Sequence, residues 1–308
     1  MTQLASVSLD RPLEDLAEEL GRSFEEYGFA VVRDHGIPAE AIARAEAGSR
    51  AFFALPEQVK RQYHLPGQGG ARGYTPFGVE RAKDAEVHDL KEFWHVGRDL
   101  PPGDPLEPFM PANVWPAEIA DFHEACLALF AAFDTAGLRI LSAIALHLGL
   151  PRDFFAPTVE NGNSVMRLLH YPPVSAGQEG AIRAAAHEDI NTITLLLGAE
   201  EAGLELLTRG GTWLPVAPPP GALAVNIGDM LQRLTAGRLR STTHRVVNPR
   251  GEAASRSRYS MPFFLHFRPD YLIDPLPLPP GTPRQRPTEP PITAHDYLQQ
   301  RLREINLA

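Results

Sequence analysis

The chain has 308 residues, 44% of them apolar and 22% charged, and a formal net charge of −9 at pH 7. That is the composition of a globular protein with length for one large domain or two small ones. No block of basic residues is present, which argues against nucleic-acid or anionic-membrane partners, since both are held by Lys and Arg. The single cysteine, Cys126, excludes an internal disulfide framework and suits a reducing compartment. It reads as a small apolar residue in a helix. The first ten residues lack the cationic flank and apolar run of a secretory signal, so a cytoplasmic location is expected.

Residues 12–27 place Leu13, Leu16, Ala17, Leu20, Phe24 and Tyr27 on one stripe, which predicts an amphipathic helix stopped by Gly28. Residues 29–33 read as a short strand and Asp34-His35-Gly36 as a turn. A second helix follows Pro38, with Ile42, Ala45, Phe52 and Phe53 for packing and Pro56 ending or restarting it. Residues 67–78 read as a loop around Arg72-Gly73-Tyr74, and residues 91–96 as a strand. The longest helical stretch is 115–150, where Ile119, Phe122, Cys126, Leu129, Phe130 and Phe133 recur at helical spacing; a break is expected near Gly137. Its apolar part resembles a membrane span, but Asp134, Arg139 and His147 interrupt it. The expectation is a buried helix covering one side of a sheet.

From Ser164 the apolar period changes from about 3.6 to 2. Strands are predicted at 165–171, 192–197, 204–207, 213–216, 222–227, 243–247 and 259–267. Turn signals separate them: Pro172-Pro173, Gly198, Gly210-Gly211, the Pro218–Gly221 run and Asn248-Pro249-Arg250-Gly251. Short strands so spaced predict a sandwich or barrel, and an eight-stranded jelly roll is the economical choice. Residues 269–291 carry nine prolines and are expected to wrap the surface. Residues 293–306 close the chain as a helix, with Thr293 as N-cap and Asp296 at the third position.

The expected fold class is therefore mainly β with flanking α: a double-stranded β-helix (jelly roll) core, a helical N-terminal layer and a long backbone helix. One compact domain of residues 1–308 is expected. It divides into an N-terminal α/β region (1–115), the long helix (116–150), the jelly-roll core (160–270), and a Pro-rich segment with the terminal helix (271–308).

His187-Glu188-Asp189 puts an imidazole and a carboxylate two residues apart at the mouth of the predicted strand 192–197. In an extended chain such residues share a side, so both can grip one ion. His244, entering another β-rich run, is the candidate third ligand. Two His and one carboxylate form the facial triad of non-haem Fe(II) oxygenases, which leaves coordination positions open. A second constellation follows: Arg258 and Ser260 share one strand face, a guanidinium and a hydroxyl suited to a carboxylate deep in a barrel. Tyr171 could add a phenolic donor. A metal backed by such a cradle suits 2-oxoglutarate as cosubstrate, its oxo-acid end on iron and its far carboxylate on Arg258.

The ordered landmarks Gly28-Phe-Ala-Val-Val with His35-Gly36-Ile37, Arg72-Gly73-Tyr74 with Lys91-Glu92-Phe93, His187-x-Asp189, Asn226-Ile-Gly228-Asp229, His244-Arg245-Val246 and Arg258-x-Ser260 resemble the isopenicillin N synthase-like branch of the Fe(II)/2-oxoglutarate-dependent dioxygenases. The resemblance spans most of the chain. It implies Fe(II), 2-oxoglutarate and O2 as cofactor and cosubstrates, with His187, Asp189 and His244 as iron ligands and Arg258, Ser260 and Tyr171 holding 2-oxoglutarate. A small-molecule substrate would be hydroxylated, desaturated or cyclised, with release of succinate and CO2. Many plant members carry Asn where this chain has Leu169, which removes one polar contact to the cosubstrate. Arg72, Tyr74, Trp94, Arg167 and Phe264 are the candidate substrate contacts, and a buried Arg72 or Arg167 would imply an anionic substrate.

Two other readings stand beside this one. The first is a 2-oxoglutarate-independent Fe(II) oxidase or cyclase of the isopenicillin N synthase type; the second is a non-catalytic jelly-roll module binding a metal or an acid. The remaining residues carry bland expectations. Residues 226–229 are read as a tight turn between strands without chemistry, Glu188 as turned away from the metal. His35 is assigned to turn chemistry, His170 and His266 to half-buried strand positions, and His123, His147 and His295 to no site.

Overall fold

Alternation of apolar residues carries the chain into two facing sheets backed by helices. The computed structural model describes residues 4, 6–67, 70–79, 91–173, 183–197, 203–248, 254–277 and 289–304. In chain order the elements are β1 (Ser6–Ser8), α1 (Leu13–Tyr27), β2 (Phe29–Arg33), α2 (Ala39–Phe53), α3 (Glu57–Lys60), β3 (Gly73–Thr75) and β4 (Glu92–Gly97). There follow α4 (Phe122–His147), α5 (Ala156–Val159), β5 (Val165–Tyr171), β6 (Ala184–His187), β7 (Ile193–Leu197), β8 (Leu204–Leu207), β9 (Trp213–Pro215) and β10 (Leu223–Ile227). The chain ends with α6 (Asp229–Leu234), β11 (His244–Val246), β12 (Arg258–Ser260), β13 (Pro262–Leu265), β14 (Leu272–Ile273), β15 (Ile292–Thr293) and α7 (Ala294–Glu304).

The larger sheet runs β1-β2-β10-β7-β13-β5-β4-β3, with β12 also paired to β5; the smaller runs β6-β11-β8-β9. Among the described pairs only β1 with β2 is parallel. Period-two alternation gives the larger sheet two unlike faces. Trp94, Val96, Met166, Leu168, Ile193, Leu195, Leu223, Val225, Phe263 and Leu265 join the core formed with α1, α2 and α4. The intervening residues, among them Phe93, His95, Gly97, Arg167, Leu169, Tyr171, Thr194, Asn226 and Phe264, therefore face the smaller sheet. Phe29, Val31 and Ala224 close this interior on one side against Leu204, Leu206 and Val246 of the smaller sheet. This is the expected jelly roll.

The long helix is shorter than predicted and unbroken. Residues 116–122 close tight turns instead, Ile119 N–H to Pro116 O at 3.4 Å and Phe122 N–H to Ile119 O at 3.2 Å, so α4 starts only at Phe122. Gly137 does not interrupt it. A side chain there would stand 2.4 Å from Leu265 Cδ1, so the glycine sets the close packing of α4 on the sheet. Phe133 stacks on Phe263 at 5.2 Å between centroids in the same contact. This helix is long and apolar enough to cross a membrane by length and composition, but it lies between α1 and α2 and the sheet.

Other differences are local. The expected loop 67–78 contains β3, and β6 ends on His187 where no strand was predicted. The run 259–267 divides at Met261 into β12 and β13 without change of register against β5, because Pro262 brings no N–H to the ladder. The Asn248-Pro249-Arg250-Gly251 turn runs past the described residues, and Gly198 and residues 278–288 of the Pro-rich segment lie outside them. Thr293 caps α7 as expected, its Oγ1 accepting from Asp296 N–H at 3.1 Å.

One polar hub joins the helices to the sheet. Glu92, 1% exposed, accepts hydrogen bonds from Lys60 Nζ at 2.7 Å, Tyr74 Oη at 2.5 Å and His170 Nδ1 at 2.7 Å. Burial pushes the carboxyl upward, but these donors outweigh it and hold Glu92 below the usual range. Removing one partner of a buried ion pair strands the other, so Glu92→Ala is expected to cost about 3–5 kcal/mol in urea denaturation at pH 7. A depressed carboxyl stabilises the fold above its unfolded value and loses that contribution as pH falls through the folded one. The gap between the two proteins should therefore narrow below about pH 4.

Candidate active site

Antiparallel pairing of β6 and β11 sets His187 directly opposite His244, with ring centroids 4.4 Å apart. Asp189 stands two residues beyond β6, where the chain crosses to the larger sheet. His187 Nε2 and His244 Nε2 lie 3.7 and 3.8 Å from Asp189 Oδ1. The three residues each offer one ligand atom, and these atoms lie within 4.8 Å of one another.

Hydrogen bonds fix which atoms face the common point. His187 Nδ1 meets Ala185 O at 2.7 Å and His244 Nδ1 meets Thr242 O at 3.0 Å. A carbonyl only accepts, so each Nδ1 carries the proton and each Nε2 keeps its lone pair. Asp189 Oδ2 is occupied by Thr194 Oγ1 at 2.5 Å and Asn226 Nδ2 at 2.8 Å, which leaves Oδ1 for an ion. Desolvation in the cleft, then the neighbouring His244 ring, hold His187 below the usual imidazole range. Burial pushes Asp189 up, but His244, His187, Asn226 and Thr194 together hold it below the ordinary carboxyl range. Two neutral imidazoles and a carboxylate are a donor set suited to ferrous iron. His187 is 42% exposed against 7% for Asp189 and 9% for His244, so the centre opens to solvent past His187. Glu188 points away, its Oε1 accepting from Thr243 Oγ1 at 3.0 Å.

The expectation for residues 226–229 is corrected. Asn226 lies near the end of β10 on the inner face and grips the ligand carboxylate; Asp229 begins α6 and its backbone N–H donates to Asp189 O at 2.7 Å. A side chain at Gly228 would stand 2.1 Å from Asn191 O, so glycine is required for the two segments to meet. Asn191 Nδ2 in turn donates to Thr194 Oγ1 at 3.0 Å. Arg301 of α7 reaches the same place, 3.2 Å from the Asp229 carboxylate. Thr194 and Asn226 are the site residues that motif reading missed. Their signal was a polar residue on the inner face of an otherwise apolar strand.

Deeper in the barrel, Arg258 pairs with Tyr171 and Ser260 with Leu169 across β12 and β5. All four are buried. Tyr171 meets Arg258 through its ring face, with the guanidinium 5.1 Å from the centroid. Leu169 packs with Phe93 and Tyr171 as an apolar patch beside this cradle.

The five candidate substrate contacts divide. Tyr74 and Trp94 are corrected to core residues: both are fully buried on the helix side, Tyr74 bonded to Glu92 and Trp94 packed on Phe52 at 4.7 Å. Arg167 and Phe264 face the interior. Arg167 lies 4.2 Å over Phe93 and 5.4 Å over Phe264, and its Nε donates to His95 Nε2 at 2.6 Å. Arg72 is 1% exposed and lies against Gly97, on the same inner face. His266 is buried as well. His170 sits on the helix side, bonded to Glu92 and Ser257, and His35 bonds Gly221 O at 2.8 Å. His147, expected to stand apart, lies 3.0 Å from Glu25.

Family-level comparisons agree with this geometry. The family described as the 2OG-Fe(II) oxygenase superfamily matches residues 162–267, and the one described as the N-terminal region of non-haem dioxygenases in morphine synthesis matches residues 3–118. A 2-oxoglutarate-Fe(II) type oxidoreductase of Emericella nidulans is 33% identical over 294 residues, covering 92% of this chain and 83% of that protein. A Caulobacter crescentus protein assigned to the 2OG-Fe(II) oxygenase family superposes with a TM-score of 0.91 at 54% identity, over 99% of this chain and 100% of the other. A full-length Neurospora crassa protein, solved in complex with α-KG and thymine, superposes with a TM-score of 0.85 at 27% identity, over 97% and 96%.

Because Asn226 and Thr194 orient the carboxylate, removing either should loosen metal binding. Asn226→Ala is expected to weaken Fe(II) affinity about 10–100-fold in anaerobic metal titration, and Asp189→Ala to abolish stoichiometric binding.

Proposed function

The chain belongs to the 2OG-Fe(II) oxygenase superfamily, and on that footing we propose that His187 Nε2, Asp189 Oδ1 and His244 Nε2 hold its ferrous ion while Arg258 and Ser260 hold the far carboxylate of 2-oxoglutarate. The enzyme is a non-haem Fe(II)- and 2-oxoglutarate-dependent dioxygenase. The observation that carries the residue assignment is the convergence of the three ligand atoms within 4.8 Å, with the second oxygen of Asp189 already engaged by the barrel wall.

When bound, Fe(II) and 2-oxoglutarate supply the oxidising chemistry: O2 is consumed, the oxo acid leaves as succinate and CO2, and the substrate is oxidised. The residues do the rest. Thr194 and Asn226 keep one carboxylate oxygen of Asp189 from turning, so the ligand direction is set before any substrate arrives. Ala185 O and Thr242 O lock both imidazoles in the tautomer that presents Nε2. Arg258 places a buried positive charge behind the metal, where it orients an anionic acid along the barrel. Tyr171, its ring face 5.1 Å from that guanidinium, completes the cradle, with its hydroxyl assigned to the same far carboxylate of 2-oxoglutarate. Phe93, Leu169 and Phe264 give the chamber an apolar lining that excludes water from the oxidation. The substrate is a small molecule held against the inner faces of β4, β5 and β13.

The names of the relatives and the α-KG of the Neurospora neighbour favour 2-oxoglutarate use over the 2-oxoglutarate-independent oxidase. Open coordination positions speak against a purely structural metal.

Addition of 2-oxoglutarate to the anaerobic Fe(II) protein should develop the visible charge-transfer band, and admission of air should release succinate. An iron-loaded protein that leaves 2-oxoglutarate unchanged would reject the proposal. Arg258→Gln is expected to weaken 2-oxoglutarate binding about 10–100-fold, as loss of a charge-assisted bidentate contact does, with Fe(II) affinity retained.

A further inference from the structure

Arg72 is the feature that the cofactor sites do not use. Gly97 lies on the inner face of β4, and a side chain there would stand 1.9 Å from Arg72 Cζ; the guanidinium therefore occupies the space above that glycine, inside the barrel. Register places it on the same row as the metal. Gly97 pairs with Val165, Val165 with Phe264, and Phe264 with Thr194, which holds Asp189. Three strand spacings amount to about 14 Å around the curved wall.

The guanidinium is only partly satisfied. Nη1 donates to Ala71 O at 2.7 Å, while Nε and Nη2 are buried without a hydrogen-bond partner among the described residues. Those two N–H groups form one edge of the guanidinium and point in parallel, at the spacing of two carboxylate oxygens. The chain shows what that edge takes when a carboxylate is supplied. Arg44 Nε and Nη2 grip Asp121 at 2.9 and 2.6 Å, and Arg268 grips Asp270 at 3.0 Å twice. Asp99, the carboxylate whose charge reaches Arg72, is instead bonded by Asn113 at 2.7 Å. Burial lowers Arg72 only to about 10, so it is charged at neutral pH. Of the buried arginines with unpartnered nitrogens, Arg72 is the one whose Nε and Nη2 both lack a partner among the described residues, and such a group calls for an explanation.

We infer that Arg72 grips a carboxylate on the substrate through Nε and Nη2, so that this enzyme oxidises a small organic acid. The inference rests on the reading that the inner faces of β4, β5 and β13 form the substrate chamber.

The test begins with the unaltered protein, loaded anaerobically with Fe(II) and 2-oxoglutarate. A panel of aryl and alkyl carboxylic acids, each paired with its primary amide, is added, and the thermal midpoint and the visible band are read. Acids should raise the midpoint and perturb the band, with affinity at least about 100-fold above the matching amides. In Arg72→Gln that preference should vanish, and Arg72→Lys should recover only part of it. The 2-oxoglutarate affinity, read from the band before any acid is added, should change by less than about threefold, since its carboxylate belongs to Arg258. Acids and amides binding alike, no acid binding at all, or a tenfold or greater loss of 2-oxoglutarate affinity in Arg72→Gln would each overturn the inference. Failure of the broader reading looks different: the unaltered protein would then form no band with 2-oxoglutarate.

Discussion

Everything at the metal centre depends on one carboxylate with two employers. Asp189 gives one oxygen to the barrel wall, through Thr194 and Asn226, and keeps the other for the ion. Were both oxygens free, the side chain would swing and the imidazoles would face a moving partner. Were both engaged, no anionic ligand would remain. Because the group is buried, its charge is sustained only by those donors and by the rings, so the folded barrel and the competent ligand are one arrangement.

The larger sheet makes this possible by having two unlike faces. Its helix side is ordinary core, Phe133 on Phe263 and Trp94 on Phe52. Its inner side carries polar and charged groups that a simple sandwich would not tolerate: Arg72, His95, Arg167, Thr194, Asn226, Arg258 and Ser260. Each of these is acceptable only because it is bonded within the wall or faces a chamber built for ligands. The single-residue alternation along each strand sorts the two populations, so a slip of one residue would exchange core and chemistry.

Much of this could be read from the chain, and the exceptions have physical causes. The triad was readable because His187 and Asp189 sit two apart and His244 begins a β-rich run; the same spacing identified Arg258 with Ser260. Strand β5 and helix α1 were placed within a residue because their apolar periods are clean. Tyr74 and Trp94 were assigned to the substrate because loop and strand near a mouth attract such guesses. Parity settles the matter only when the partner strand is known, and that is tertiary information. Asn226 was dismissed as turn chemistry for the same reason: its importance lies in Asp189, 37 residues away in sequence. The helix boundary at Phe122 was missed because Ile119 satisfies the apolar period while its backbone closes tighter turns.

The pairing of β2 with β10 joins segments roughly 200 residues apart in sequence, a separation that slows folding because so long a loop must close before any contact rewards it. His187 and His244 meet when β6 pairs with β11 inside the smaller sheet, but the Asp189 carboxylate is fixed beside them only once that sheet has docked on Thr194 and Asn226 of the larger. A chain whose sheets have not docked thus offers iron no complete triad, and most of the free energy the ion contributes accrues to the finished barrel. Iron supply then becomes a control on the lifetime of the protein as well as on its turnover.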